Sequence, residues 1–161
     1  MSSNFFWFKE KINTSKKQGC KVGGKMRVEL QGQDWVEWDE KAQALHREGC
    51  LDFLQAIHAQ IQLHGKNPSS WQMPSGKDHV SLLISELILK VRGEWKDSYT
   101  DIEICHCRNI TTEKVRHAIY NGAHVIEDIR SRSGANTACG TCRDNIMNMV
   151  HAVLDKGQPS K

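Results

Sequence analysis

Four of the six cysteines carry a spacing that chemistry explains better than packing does. Cys105 and Cys107 flank His106, and Cys139 and Cys142 enclose Gly140 and Thr141, with 31 residues between the two pairs. Cysteines one residue apart in an extended segment reach a common point when the loop curls. Cysteines at i and i+3 share a face at the start of a helix. A helical hairpin between the pairs would return the chain to its starting point and let both converge. Four converging thiolates hold either one tetrahedral zinc ion or a [2Fe–2S] cluster, and ligand type alone does not separate the two. A thioredoxin-like pair at Cys139 and Cys142 needs a βαβ context that is missing, and it leaves Cys105 and Cys107 unexplained. Disulfides need an oxidising compartment, and the N-terminal stretch lacks the apolar core and cleavage site of a secretory signal.

The residues around the pairs suit an anionic centre. The second pair opens a helix, whose free N–H groups and positive dipole end favour negative charge. Gly140 lets the backbone approach the sulfurs, and Asn136, Thr137 and Thr141 are placed to donate hydrogen bonds that raise a reduction potential. His106 lies between two ligands of a complete set, so it is expected to face solvent. Cys20 lies in a loose basic tail, and Cys50 falls on an apolar stripe, where a free cysteine behaves as a small buried hydrophobe. Neither is read as a ligand. The other histidines have no carboxylate at catalytic spacing.

The elements that must position the four cysteines follow from periodicity. Residues 1–30 read as a flexible basic segment, with an aromatic cluster at Phe5, Phe6, Trp7 and Phe8 and a second possible start at Met26. Residues 31–100 read as a mostly helical extension. Asp39 is a candidate N-cap for a helix through about Glu48. Phe53, Leu54, Ile57 and Ile61 mark a second helix ended by Gly65, and the stripe from Val80 to Trp95 marks a third, buried on a broad arc. In residues 101–157, Ile102-Glu103-Ile104 is extended. Thr111 caps a short helix closed by Gly122, Val125 to Ile129 begin another closed by Gly134, and a last helix carries Ile146, Met149, Val150, Val153 and Leu154.

Residues 102–154 resemble the bacterioferritin-associated-ferredoxin-like [2Fe–2S]-binding domain family. The matching text is I-C-H-C-R-N-I-T-T-E-K-V-R-H-A-I-Y-N-G-A followed by T-A-C-G-T-C-R-D-N-I. Both cysteine spacings, the intervening length and the glycine between the last two cysteines agree. The resemblance implies one [2Fe–2S] cluster on Cys105, Cys107, Cys139 and Cys142, and a mainly α fold of helix-turn-helix units with the cluster near the surface. It also implies one-electron exchange with a protein partner, and Arg108 and Arg143 are the residues expected to guide docking. Such domains also occur inside nitrite reductases, copper chaperones and cluster-assembly scaffolds, and a fold alone does not choose among these. The alternatives are a redox or iron sensor that uses the cluster as a switch, and a structural zinc module.

Charge narrows the rest. The chain of 161 residues carries a net +3, divided as +5 over residues 1–30, −3 over 31–100 and +1 over 101–161. The basic excess therefore avoids the cysteine-rich region, and Glu113, Glu127 and Asp128 would repel phosphate, so no nucleic-acid partner is expected. No apolar run reaches the ~20 residues needed to cross a bilayer, and a cytoplasmic location is expected. No triad, phosphate loop or carboxylate pair is present, so no independent enzymatic activity is expected.

Overall fold

The computed structural model describes residues 24–155, and the readings for Cys20, for the aromatic cluster at residues 5–8 and for the last six residues lie outside the described residues. The chain begins with an antiparallel meander of β1 (Lys25–Leu30), β2 (Asp34–Asp39) and β3 (Ala44–Glu48), in that spatial order. Val28 sits opposite Val36, and Trp38 is flanked by Met26 and Leu45. The period-2 alternation of strands sends Val28, Leu30, Val36 and Trp38 into the core.

This sheet corrects the expectation of a mainly α fold with a mostly helical extension. Helices hold 48% of the described residues and strands 17%, so the fold is mixed α/β with small sheets. No helix starts at Asp39. Its Oδ1 accepts from the N–H groups of Lys41 and Ala42, both at 3.0 Å, and closes the β2–β3 turn. An N-cap and a turn of this kind use the same side-chain acceptor. The strand pairing on either side decides between them. Residues 25–30, read as part of a flexible tail, are β1.

The two longer helices fall where periodicity places them. α1 (Leu51–His64) buries Phe53 and Ile57 and ends at Gly65. α2 (His79–Arg92) starts at Asp78, whose carboxylate accepts from the Ser81 N–H at 3.0 Å, and ends at Gly93 in the left-handed conformation with φ 73°. It packs against β1, α1 and α3, which is why nearly its whole circumference is buried. Each fully buried Leu or Ile contributes about 1.5–3 kcal/mol of transfer free energy before chain entropy is subtracted.

The C-terminal part carries the cysteines. β4 (Glu103–Cys105) and β5 (Ile110–Thr111) pair across a single 3₁₀ turn, His106–Arg108, which Asn109 closes with φ 51°. α3 (Thr112–Tyr120) follows, capped by Thr111, whose hydroxyl accepts from the Lys114 N–H at 3.2 Å. α4 (Ile126–Ser133) and α5 (Arg143–Leu154) then pack with α3. One hydrophobic core runs without a break from Val28 in the sheet to Val153 in α5.

Candidate metal centre

Two loops bring the four cysteines together. Cys105 ends β4 and Cys107 lies in the turn that follows. Cys139 lies in the loop after α4, and Cys142 is the N-cap of α5. Cys105 Sγ is 3.8 Å from Cys107 Sγ, and Cys107 Sγ is 3.3 Å from Cys139 Sγ. Cys142 completes the chain by contact with Cys105. These separations far exceed the ~2.05 Å of a disulfide. Cys105 and Cys142 are buried, whereas Cys107 and Cys139 are exposed. The sulfurs line one side of a cavity of about 290 Å³, which Tyr99, Ile104 and Asn145 also border.

The local backbone is shaped to donate. N–H groups of Arg108 and Asn136 point to Cys105, that of Cys139 to Cys107, and that of Thr141 to Cys139. The Thr141 hydroxyl donates to Cys139 Sγ at 3.3 Å. These donors hold the Cys139 thiol down to about 7, led by the Thr141 hydroxyl. Burial opposes ionisation of Cys105, but the donors around it outweigh burial and lower its pKa. Burial, reinforced by the Cys105 sulfur, pushes Cys142 up to about 11.

Asn136 holds the second loop. It is buried with φ 58°, and its amide fits its neighbours when the nitrogen donates to Gly140 O at 3.0 Å and the oxygen accepts from Arg130 Nη2 at 2.8 Å. Thr137 touches no sulfur. Its hydroxyl bonds Gly134 O at 2.9 Å and accepts from Arg108 Nε at 3.0 Å, which ties the two cysteine loops together. Gly140 is required by its φ of +76° rather than by close approach, since a Cβ there would meet only Asn136 Oδ1, at 3.7 Å. His106 leans on Glu103 at 3.5 Å, with its side chain 74% exposed. Tyr99 and Asn145 border the cavity without any spacing signal that could have found them.

The donor set fits a two-metal centre better than a single ion. Around one tetrahedral zinc ion, every pair of sulfurs would lie about 3.8 Å apart, given Zn–S bonds of ~2.3 Å. Among the described residues, no three of these four sulfurs lie within 4.8 Å of one another. Four thiolates spread in this way, each with a backbone donor, match the demands of a cluster with two irons.

Residues 103–152 match the family described as BFD-like [2Fe-2S] binding domain. This segment is a BFD-like domain, and it binds a [2Fe–2S] cluster. A bacterioferritin-associated ferredoxin of Pseudomonas aeruginosa is 29% identical over 58 residues, which is 36% of this chain and 80% of the relative. A nitrogen fixation protein NifU of Leptolyngbya boryana is 30% identical over 92 residues, which is 52% of this chain. The chain spans 45% of that NifU. No solved structure matches the chain. The BFD-like domain is therefore fused here to a sheet-and-helix unit, residues 25–92, that lies outside the family match. Among the described residues, no helix is long and apolar enough to cross a membrane.

Proposed function

We propose that Cys105, Cys107, Cys139 and Cys142 ligate the cluster and that the protein passes single electrons to or from a protein partner docking over Cys107 and Cys139. The asymmetry of burial carries this reading. Two sulfurs are inside and two are at the surface, so electrons have a short route to a partner on one face only. When bound, the cluster supplies one-electron redox chemistry. The chain's own residues hold it, keep the Cys105–Cys142 side dry, and place two exposed arginines, Arg108 and Arg143, directly after Cys107 and Cys142 in the chain. A partner with an acidic docking patch suits those two arginines. The Pseudomonas relative is named for an association with bacterioferritin, and a bacterioferritin-type protein is accordingly the first partner to try. On this reading the protein is a carrier in a reducing, cytoplasmic setting and has no catalytic activity of its own.

The test is an anaerobic redox titration with iron and acid-labile sulfide counts. The expected result is two irons and two sulfides per chain, a reversible one-electron reduction with an EPR signal in the reduced state, and loss of all of these in Cys107→Ser and Cys139→Ser. A centre that falls apart on each oxidation would favour the sensing role. A colourless protein holding one zinc ion would sink both readings.

A further inference from the structure

A second constellation of ligand-type residues lies outside the BFD-like domain. Asp34 opens β2, Cys50 is the N-cap of α1, and His79 is the first residue of α2. Three elements thus deliver a carboxylate, a thiol and an imidazole to one point, with their ligand atoms all within 4.8 Å of one another. Cys50 is exposed here rather than buried on an apolar stripe, which corrects the expectation drawn from its spacing. Asp34 is 2% exposed.

Direct contacts join these three groups only loosely. His79 Nε2 lies 3.3 Å from Asp34 Oδ2 and 3.4 Å from Cys50 Sγ. One ring nitrogen carries at most one proton, so it serves only one of these two acceptors at a time. The carboxylate contact is also longer than a normal N–H···O bond of ~2.7–3.2 Å. A tetrahedral ion with Zn–N and Zn–O bonds near 2.0–2.1 Å and a Zn–S bond near 2.3 Å would set N···O at about 3.3 Å and S···N at about 3.5 Å. The observed separations are close to those values.

The surroundings agree. Asp34 Oδ1 accepts the Cys50 N–H at 2.6 Å, which orients the carboxylate and leaves Oδ2 for an ion. Gly49 makes that approach possible, because a Cβ there would lie 2.2 Å from Asp34 Oδ1. Among the described residues, no Lys or Arg pairs with the buried Asp34 carboxylate, whose one ion-pair partner is His79. A dication bound by one carboxylate and one thiolate would balance the local charge.

We infer that Asp34, Cys50 and His79 form a binding site for one divalent ion of the zinc class, with a fourth position open to water on the exposed Cys50 side. Three protein ligands and one open position characterise sites that exchange a ligand, in contrast to the closed four-ligand structural type.

The test uses the full chain with its cluster already loaded, so that the four cluster cysteines are occupied. Zinc is titrated against a chromophoric chelator, and bound zinc is counted after gel filtration. One zinc ion per chain is expected, with a first shell of one sulfur and otherwise nitrogen and oxygen by zinc-edge absorption. Cys50→Ser and His79→Gln should each weaken zinc binding at least tenfold, while the cluster spectrum and far-UV circular dichroism stay unchanged. Cys50 is exposed, so its substitution leaves the core intact even if His79→Gln perturbs α2. No zinc uptake by the loaded chain overturns the inference. So does uptake that both substitutions leave unaltered, or a first shell of three or four sulfurs, which would place the metal at the cluster loops.

Discussion

At the scale of single residues, the cluster loops are governed by donors to sulfur. Each donor favours the more negative, reduced state of a bound cluster over the oxidised one, and therefore raises its potential. Thr141 offers the cleanest test. Its hydroxyl reaches Cys139 Sγ at 3.3 Å, yet the residue is exposed, so removing the hydroxyl costs the fold little. Thr141→Val keeps the shape and loses the donor. A hydrogen bond to a charged group is worth about 1.5–3 kcal/mol, of which only the difference between redox states counts. Roughly 1 kcal/mol of that difference corresponds to about 40 mV for one electron. The midpoint of Thr141→Val should therefore fall by tens of millivolts, with the cluster content unchanged. A midpoint that rises or stays put in a spectroelectrochemical titration would show that the hydroxyl does not act on the cluster. His106, 74% exposed and turned to Glu103, serves as the neighbouring substitution expected to shift the potential least.

At the scale of elements, the joint between α2 and α3 matters most, and it rests on one acid. Glu86 sits in the middle of α2, 2% exposed among leucines and isoleucines. Lys90 reaches it at 2.7 Å from the same helix, and Arg116 of α3 reaches it at 2.6 Å, with the Tyr120 hydroxyl donating to the same oxygen. Arg116 also lies over the Tyr120 ring at 4.5 Å. Removing one partner from such a buried pair leaves the other uncompensated, at about 3–5 kcal/mol. Glu86→Gln should lower the unfolding free energy by about that much in urea titration, although Glu86 is far from the cysteines in sequence. A loss below about 1 kcal/mol would mean that the pair is merely tolerated. This joint also shows what sequence reading reaches and what it misses. α1, α2, α3, α4 and α5 were legible because each carries an apolar stripe at helical spacing, and a glycine marks the end of α1, α2 and α4. The convergence of the four cysteines was legible because a motif fixes both spacings. β2 and β3 were missed at Asp39, where the turn uses the hydrogen bonds of a helix cap. The Glu86–Arg116 pair and the Asp34–Cys50–His79 cluster join residues with no periodic relation. The first has one sequence clue, Glu86, an acid inside the apolar stripe of α2, and the second has none.

At the scale of the whole molecule, the unbroken core from Val28 to Val153 ties the BFD-like domain to the sheet-and-helix unit. A helical domain of about 50 residues has a marginal core and usually needs a staple. Here the cluster shares that task with the buried joint at Glu86, so the two halves should unfold together. That coupling has a pH signature. Burial opposes ionisation of Glu86, but the charges of Arg116 and Lys90 outweigh it and hold its pKa below the usual glutamate value. A carboxylate whose pKa is lower folded than unfolded contributes stability above the unfolded pKa. That stability is lost as pH falls through the folded pKa. The unfolded value is about 4.3. The difference in unfolding free energy between the parent chain and Glu86→Gln should therefore be constant across neutral pH and shrink from about pH 4.3 downward. Taking the difference removes effects common to both proteins, including acid damage to the cluster. If it stays constant well into acid, Glu86 is not the charged keystone between the halves. If it instead grows as pH rises from 6 to 8, a group other than this carboxylate controls the joint.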